Sequence, residues 1–477
     1  MTADFPMPHT VSPGSPVSPG NPVSPANLGP PRPAADSWPP PGPQPHPEPA
    51  RRHPTRRQFI AGAAGIGAAG AAAIAVSQHP WRLLSSAGAT PSGSLAAGKG
   101  ILVLVTLYGG NDGLNTVIPY TDGSYLGGRP TLGYKAPDVL PLADGLALHP
   151  NLKGMKALWD AKQLAVVRGV GYPNPVLSHF RSMDIWQSGS PDAGVSTGVL
   201  GRWLDATGTD PMRAISLGTT LPRLLTGEHS SGTAVAGSTI TIPGGARLAP
   251  ILATFDGPGP DRAGLAAEVA RSGSDLLKVQ HTIADLLAGT GAANAPATAP
   301  PTTAGPGKPA KPAKQQGAAT GLAAQLDVVA QLIKARSPTR VYQVSMGGFD
   351  NHAQEKDTHA RLMAELDAGI SGFMTAIKGI PAAAGTVLMT YSEFGRRVAE
   401  NLSGGTDHGT AAPLFVVGPP VKGGQFFGDE PSLADLDNGN LKFTTDFRTV
   451  FATMLAEVIG VDPKVALNGT YPSLKIV

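Results

Sequence analysis

Runs of apolar residues along the chain predict five buried strands. The first run, residues 100–108, is continuous and ends in Gly109 and Gly110, as is typical of a central strand of a parallel sheet followed by a turn. The other four predicted strands are 164–170, 339–345, 386–391 and 414–417. Each is short, bounded by polar or glycine-containing segments, and separated from the next by a longer stretch.

Helical patterns fill several of those longer stretches. Leu362, Leu366, Ile370 and Phe373 recur on one face of a segment from about residue 353 to 378. Further helices are predicted at about 261–287 and at 447–459, the latter preceded by the capping candidates Thr445 and Asp446. Strands that alternate with helices predict an α/β fold, a three-layer sandwich around a mostly parallel sheet.

Composition narrows the function classes. The chain has 477 residues, with 61 Gly, 48 Pro and no Cys. Without cysteine it can form no disulfide, no thiolate metal site and no Cys nucleophile. The formal net charge of +3 is spread along the chain, so we expect no nucleic-acid partner.

The N-terminal region carries an export pattern. Residues 1–54 are rich in Pro, Ser, Gly and Ala and predict a disordered tail. Arg56 and Arg57 precede a Gly/Ala-rich apolar run, so residues 55–89 predict a twin-arginine signal peptide cleaved after Ala89. We therefore expect the twin-arginine translocase as a partner and an extracellular or cell-envelope protein without a membrane span. The alternative is an uncleaved run that remains as an anchor.

The remainder, residues 90–477, predicts one α/β domain. A segment of mostly Ala, Pro, Thr, Gly and Lys at 289–317 predicts a flexible low-complexity insert within that domain. Residues 234–246, with β-branched side chains and glycines, predict a small hairpin or cap.

Acidic and imidazole side chains lie where the predicted strands end. Ligands of open α/β sheets bind beyond the carboxyl ends of the strands, so these side chains are the candidates for chemistry. They are Asp112, Asp350, His352 and Glu393, which follow strands, and Asp407 and His408, which precede the last strand. Acids and histidines without cysteine suit Zn²⁺, Mn²⁺, Mg²⁺ or Ca²⁺. We predict a divalent metal site, with ordinary turn and structural residues as the alternative.

Ser178 precedes a predicted helix that runs through Met183 and Trp186. The N-terminus of a helix favours an anion through its free N–H groups and its dipole. By itself Ser178 is best interpreted as an N-cap residue, whereas beside a metal site it is a candidate nucleophile. His359, a helical turn or two beyond His352, is expected on the surface.

Five motifs in this order resemble the exported proteins grouped as domain of unknown function 1501. They are Gly-Gly-Asn-Asp-Gly-Leu-Asn at 109–115, Ser-His-Phe at 178–180, Gly-Gly-Phe-Asp-Asn-His at 347–352, Ser-Glu-Phe-Gly-Arg-Arg at 392–397 and Gly-Thr-Asp-His-Gly at 405–409. That group is similar, more distantly, to the alkaline phosphatase and sulfatase superfamily. The resemblance implies an alkaline-phosphatase-like sandwich.

The resemblance also implies an activity, the metal-dependent hydrolysis of phosphate or sulfate esters. Ser178 would be the nucleophile, and Asp112, Asp350, His352, Glu393 and His408 would match metal-binding positions. Phe394 stands where those enzymes carry a histidine. His179 and Arg396 are the predicted substrate-binding residues, with surface exposure as the alternative for Arg396, and the substrate would be an anionic small molecule or polymer. A non-catalytic exported binding or cell-envelope scaffold on the same fold is the rival hypothesis.

Overall fold

The computed structural model describes residues 100–236, 265–289 and 321–477. The predicted tail and signal peptide, residues 1–89, lie outside the described residues, as does the predicted insert from residue 290 onward. The chain divides into two units, Met1–Gly62 and Ala63–Val477, and all described residues belong to the second. No helix among them combines the length and apolar character needed to cross a membrane.

A nine-stranded sheet forms the centre of the second unit. Its strands are β1 (Ile101–Leu107), β2 (Leu164–Gly171), β3 (Ala214–Leu217), β4 (Thr233–Val235), β5 (Val341–Met346), β6 (Thr386–Tyr391), β7 (Ala412–Val417), β8 (Phe426–Phe427) and β9 (Thr445–Asp446). Their spatial order is β8-β2-β7-β6-β1-β5-β3-β4, and β9 pairs with β2 outside this path. Only β7 is antiparallel to its neighbours, β2 and β6. The predicted mostly parallel sheet is therefore confirmed.

The predicted strands agree with the observed ones to within about two residues. In the central pairings Leu102 of β1 lies opposite Val341 on one side and Val387 on the other. The predicted hairpin or cap at 234–246 is described only at its start, where β4 pairs in parallel with β3.

Helices fill the connections between the strands. They are α1 (Gly113–Thr116), α2 (Gly123–Gly128), α3 (Lys153–Asp160), α4 (His179–Ser188), α5 (Val199–Thr207), α6 (Leu265–Gly289), α7 (Leu322–Lys334), α8 (Glu355–Ile377) and α9 (Phe447–Thr453), which continues as a π-helical turn at Met454–Ile459. The predicted helices at about 261–287, 353–378 and 447–459 correspond to α6, α8 and α9, and the predicted helix through Met183 and Trp186 corresponds to α4. Asp446 caps α9 as predicted, because its side chain accepts a hydrogen bond from the Arg448 N–H at 2.9 Å.

Smaller elements complete the described fold. A three-stranded sheet contains Val117–Ile118, Leu140–Pro141 and Ala147–Leu148, and a short hairpin pairs Leu436–Asp437 with Asn440–Leu441. Single 3₁₀ turns lie at Ala136–Asp138, Pro211–Arg213, Arg223–Leu225, Pro381–Ala383 and Pro463–Val465.

The sheet buries both of its faces. Successive side chains of a strand point to opposite faces, and in β1 Val103 and Val105 belong to one hydrophobic cluster while Leu102 and Leu104 belong to another. The first cluster includes residues of α3, α7 and α8, and the second includes residues of α4, α5 and α9. Helices on both faces of a mostly parallel sheet make the α/β three-layer sandwich that the sequence predicts.

Candidate functional site

Loops from five strands meet at the carboxyl edge of the sheet. Strands β1, β2, β5 and β6 run in the same direction, so the segments that follow them emerge at this edge. Strand β7 runs the opposite way, and therefore the segment that precedes it arrives at the same edge. This reversal explains how His408, ahead of a strand, reaches residues that follow other strands.

Three histidines converge on one carboxylate oxygen at this edge. Asp350 Oδ1 lies 2.8 Å from His352 Nε2, 3.2 Å from His408 Nε2 and 3.4 Å from His179 Nε2. The Nε2 atoms of His352 and His408 are 3.0 Å apart. We call these four residues the histidine cluster. All four side chains are partly exposed, so the cluster is open to solvent.

The opposite ring nitrogen of each histidine faces an oxygen of the protein. His179 Nδ1 lies 2.8 Å from Glu393 Oε1, and His408 Nδ1 lies 2.8 Å from the Leu177 carbonyl oxygen. His352 Nδ1 lies 3.6 Å from Asp407 Oδ1. Metal-binding histidines commonly donate their second N–H to such acceptors, which leaves the other nitrogen free to bind the ion.

Glu393 is a buried support for His179 rather than a member of the cluster. Its side chain is 2% exposed, and its oxygens also accept hydrogen bonds from the Gly109 N–H at 2.9 Å and the Ser392 hydroxyl at 3.0 Å. Its hydrogen bond raises the pKa of His179 against the opposing effect of burial. In the structure Glu393, a predicted metal ligand, thus contacts Nδ1 of His179, a predicted substrate-binding residue, and does not itself belong to the histidine cluster.

Asp350 is held as a carboxylate. Burial raises its pKa, but the hydrogen bonds from Arg396 and His408 outweigh burial and lower the pKa to about 2. The side chain therefore carries a negative charge at neutral pH, the form in which a carboxyl group binds a metal ion.

Two glycines allow the loops to approach this closely. Gly109 has a φ of +117°, and a Cβ there would lie 2.5 Å from the Asp350 backbone nitrogen. A Cβ at Gly405 would lie 2.3 Å from the His352 carbonyl carbon. Any side chain at either position would push the loop away from Asp350 or His352.

Asn401 supports the cluster and was not among the predicted residues. Its Nδ2 donates to the His352 carbonyl oxygen at 3.0 Å and to Asp407 Oδ1 at 3.2 Å, while its Oδ1 accepts from the Ser403 and Gly405 N–H groups. An Asn shortly before two glycines is typical of a side-chain-stabilised turn, so the sequence did hold a signal for it.

Arg396 is buried and bound to the protein. It is 2% exposed, so the alternative of a surface residue is wrong. Its Nε donates to the Gly110 oxygen at 2.6 Å and its Nη1 to the Thr406 oxygen at 2.9 Å. Its Nη2 donates to Asp350 Oδ1 at 2.9 Å and to the carbonyl oxygens of Phe349 and Gly109. The guanidinium is placed to fix Asp350 and the surrounding loops, not to face a substrate.

Asp112 lies in a second, buried group of charges. Its Oδ2 accepts from Arg129 Nη1 at 2.5 Å, and the two side chains are 1% and 0% exposed. Arg129 also donates to the carbonyl oxygens of Val398 at 2.9 Å and Arg397 at 2.8 Å. We call Asp112, Arg129 and Glu355 the buried acid cluster. In the structure Asp112, a predicted metal ligand, pairs with the buried guanidinium of Arg129 and does not belong to the histidine cluster.

The two carboxyl groups of the buried acid cluster differ in charge. Burial raises the pKa of Asp112, but the charge and hydrogen bond of Arg129 outweigh burial and lower it. Burial and the nearby Asp112 raise the pKa of Glu355 well above its usual range. The fold therefore favours the protonated form of Glu355, whose Oε2 accepts a hydrogen bond from the Thr406 hydroxyl at 2.7 Å.

His359 lies beside the buried acid cluster and is 1% exposed, so the expected surface position is wrong. Its Nε2 lies 3.1 Å from Asn111 Oδ1. Burial lowers its pKa to about 4, so the ring is neutral at pH 7.

Ser178 is exposed at the N-terminus of α4, directly before His179. It occupies the N-cap position, yet its side chain forms no capping hydrogen bond. The hydroxyl is thus not committed to the helix, in contrast to the N-cap interpretation of the sequence.

Phe394 forms the apolar floor of the histidine cluster. Its ring centroid lies 4.9 Å from that of His179 and 4.7 Å from that of His408, and the residue is 4% exposed. A phenyl ring therefore closes the side of the cluster where the resemblance would place a histidine.

Solved structures similar to this chain include a protein in the alkaline phosphatase superfamily from Vibrio parahaemolyticus, at 11% identity over 78% of this chain and 69% of that chain, with a TM-score of 0.34. Others are the phosphonate monoester hydrolase of Agrobacterium radiobacter (14% identity, 76% and 74% covered, TM-score 0.30) and BT1596, a 2-O GAG sulfatase (10% identity, 68% and 65% covered, TM-score 0.27). These TM-scores are low, so we infer function from the site itself.

No curated protein matches the chain. A family model described as a protein of unknown function, DUF1501, matches residues 270–470, which include Asp350, His352, Glu393 and His408. The resemblance expected from the motifs is thereby confirmed over residues 270–470, the part of the chain that the DUF1501 model matches.

Proposed function

We propose that the histidine cluster binds one divalent metal ion. The observation that carries the proposal is the convergence of three imidazole Nε2 atoms on Asp350 Oδ1, with an oxygen facing each Nδ1. Ligand atoms of His179, Asp350 and His408 all lie within 4.8 Å of one another. His352 supplies a fourth donor beside them. His179, predicted as a substrate contact, thus takes the place of a ligand.

The donor set narrows the choice of ion. Three nitrogens and one carboxylate oxygen suit Zn²⁺ or Mn²⁺, whereas Mg²⁺ and Ca²⁺ prefer sets made of oxygen. Of the four ions that the sequence allowed, the geometry favours the first two.

We further propose that the protein is a metal-dependent hydrolase of phosphate or sulfate esters. A bound divalent ion supplies Lewis-acid stabilisation of negative charge on the ester. Ser178 supplies the nucleophile: its exposed hydroxyl lies one residue from His179 and makes no capping bond. The first N–H groups of α4 point toward the N-terminus of the helix, where Ser178 lies, and favour the binding of an anionic ester group there.

Residues behind the cluster hold the reacting groups in place. Glu393 fixes the ring orientation of His179, and Arg396 fixes Asp350 and keeps it ionised. Phe394 excludes water from the floor.

The test is hydrolysis of 4-nitrophenyl phosphate and 4-nitrophenyl sulfate by the full chain loaded with Zn²⁺ or Mn²⁺. Ser178→Ala is expected to abolish turnover while the bound metal is retained. Ser124→Ala, which changes another exposed serine in the first turn of a helix, is the matched control and should behave as wild type. Full turnover by Ser178→Ala would contradict the assigned nucleophile.

A non-catalytic metal-binding scaffold is the second candidate. It is favoured by Arg396, which directs its donors to the protein and leaves no guanidinium facing an anionic substrate from that position. A metal-loaded chain that turns over neither ester would support this candidate.

We also propose export by the twin-arginine pathway through residues 55–89, which lie outside the described residues. Replacing Arg56 and Arg57 by Lys should retain the protein in the cytoplasm, as measured by cell fractionation. Arg51 and Arg52 form an adjacent arginine pair without the following Phe-Ile pattern, so the same change there is the matched control. Equal export of both variants would contradict the proposal.

A further inference from the structure

Some exposed apolar side chains belong to the same chain segments as the histidine cluster or to segments that contact it. Six large apolar residues are exposed in the described part of the chain: Leu126, Leu177, Phe180, Leu402, Phe443 and Val465. Phe180 is 72% exposed and Leu402 is fully exposed. Contiguous exposed apolar surface is uncommon in a soluble domain and often marks a binding surface.

Three of these six residues are linked to the cluster, one through its own backbone and two through the residue that precedes them in the chain. The carbonyl oxygen of Leu177 accepts from His408 Nδ1 at 2.8 Å. Phe180 directly follows His179 in α4. Leu402 directly follows Asn401, whose side chain donates to the His352 carbonyl oxygen. We call Leu177, Phe180 and Leu402 the apolar rim.

The charges near the cluster are unsuited to an extended polyanion. Asp350 and Asp407 have side chains 49% and 57% exposed, whereas the Arg396 side chain is 1% exposed and paired with Asp350. The nearby Arg181 donates to the Pro191 oxygen and lies 3.9 Å from Asp184. A polymer with many phosphate or sulfate groups would therefore meet the exposed carboxylate of Asp407 beside the site, which disfavours it.

We propose that the site accepts small esters whose organic group is apolar, an aryl or long alkyl group that packs on the apolar rim. The inference rests on the proposed function, because the ester group itself must bind at the histidine cluster. Phe180 and Leu402 are the specificity-determining residues. They contact the organic group and take no part in bond breaking.

The physical reason is the burial of apolar area. An aryl group that covers the exposed ring of Phe180 removes both surfaces from water, whereas a methyl group covers little of it. A single aromatic contact of this kind corresponds to roughly a tenfold gain in affinity.

The test is calorimetric binding of phenylphosphonate and methylphosphonate to the Zn²⁺-loaded full chain. Neither compound has an ester bond to hydrolyse, so differences in leaving group do not enter. Phenylphosphonate should bind about tenfold more tightly than methylphosphonate. In the double variant Phe180→Ser, Leu402→Ser this ratio should fall to near one while the Kd of methylphosphonate stays unchanged.

Val465→Ser is the matched control, because Val465 is an exposed apolar residue in a separate 3₁₀ turn. It should leave both Kd values unchanged. Equal binding of the two phosphonates to wild type, or an unchanged ratio in the double variant, would overturn the inference alone. Failure of both phosphonates to bind would count against the proposed function and the inference together. Tighter binding of a sulfated polysaccharide than of phenylphosphonate would also overturn the inference.

Discussion

The histidine cluster and the buried acid cluster are formed by loops at the same edge of the sheet, but their carboxylates differ in burial and in their partners. In the buried acid cluster Asp112 pairs with Arg129, and both side chains are excluded from water. In the histidine cluster Asp350 is half exposed, and three imidazoles turn their Nε2 atoms toward it. The first group carries its own permanent cation, and the second presents donors that suit an ion from solution.

The contrast separates stability from binding. A buried ion pair whose members are fixed by further hydrogen bonds holds loops together and is costly to break. Partly exposed donor atoms contribute little to the stability of the fold and are accessible to a metal ion from solution. Thr406 and Arg396 connect the two groups, because the Thr406 hydroxyl donates to Glu355 and its carbonyl oxygen accepts from Arg396. The buried acid cluster thus supports the loop that carries His408.

The largest effect is expected from breaking the buried pair. Arg129→Met leaves the Asp112 carboxylate buried without a counter-charge and should lower the free energy of unfolding by about 3–5 kcal/mol. Urea unfolding measures this change, and adding Asp112→Asn should recover part of the loss. A single variant as stable as wild type would remove the distinction between the two clusters.

A second expected effect concerns metal affinity and acts through Glu393. Glu393→Gln keeps the shape of the side chain but replaces the carboxylate that faces His179 Nδ1, so Zn²⁺ affinity should fall roughly 10- to 100-fold. Competition with a chelating dye measures the Kd. Glu400→Gln, a change to an acid that binds the Thr131 and Leu132 N–H groups instead, should leave the Kd unchanged. Equal affinity in wild type and Glu393→Gln would contradict the role of Glu393.

A third effect is a change in the pH dependence of stability. Because the folded-state pKa of Glu355 is raised by burial and by Asp112, the folded chain holds a proton that the unfolded chain releases above about pH 4.5. Its contribution to stability is therefore complete below that pH and is lost as the pH rises through the folded-state value. Glu355→Gln has no proton to lose, so its unfolding free energy between pH 6 and pH 9 should vary less than that of wild type. Parallel profiles would show that Glu355 is ionised in the fold.

The smallest effect on stability is expected in the histidine cluster itself. His352→Ala removes a partly exposed ring, so in the presence of a chelator the free energy of unfolding should stay within about 0.5 kcal/mol of wild type. The same variant should bind Zn²⁺ more weakly. A large loss of stability without metal would mean that the histidine cluster is part of the folding core.

Much of the fold could be predicted because buried strands have a clear signature. The continuous apolar runs of β1 and β6 reflect burial on both faces, and the strand-end rule then predicts that Asp350 and His352, which follow a strand, lie at the carboxyl edge. His408 is a candidate from the sequence because it lies beside a predicted strand. Only the structure supplies the direction of β7, which brings His408 to the same edge.

The environment of Asp112 could not be predicted in the same way. Its partner Arg129 lies in an irregular loop after α2, where neither periodicity nor a motif indicates a contact. His359 is different, because it lies four residues before Met363 on the buried face of α8, and this spacing is visible in the sequence. The expectation of a surface histidine gave too much weight to residue type and too little to its position on the helix.

The most direct test of the central claim is the metal content of the purified full chain after dialysis without chelator, wild type beside His408→Ala. We expect about one Zn²⁺ or Mn²⁺ ion per wild-type chain and a clear loss in the variant, with both proteins folded. A folded wild-type chain that holds no metal and takes up neither Zn²⁺ nor Mn²⁺ on addition would contradict the metal site and the hydrolase proposal built on it.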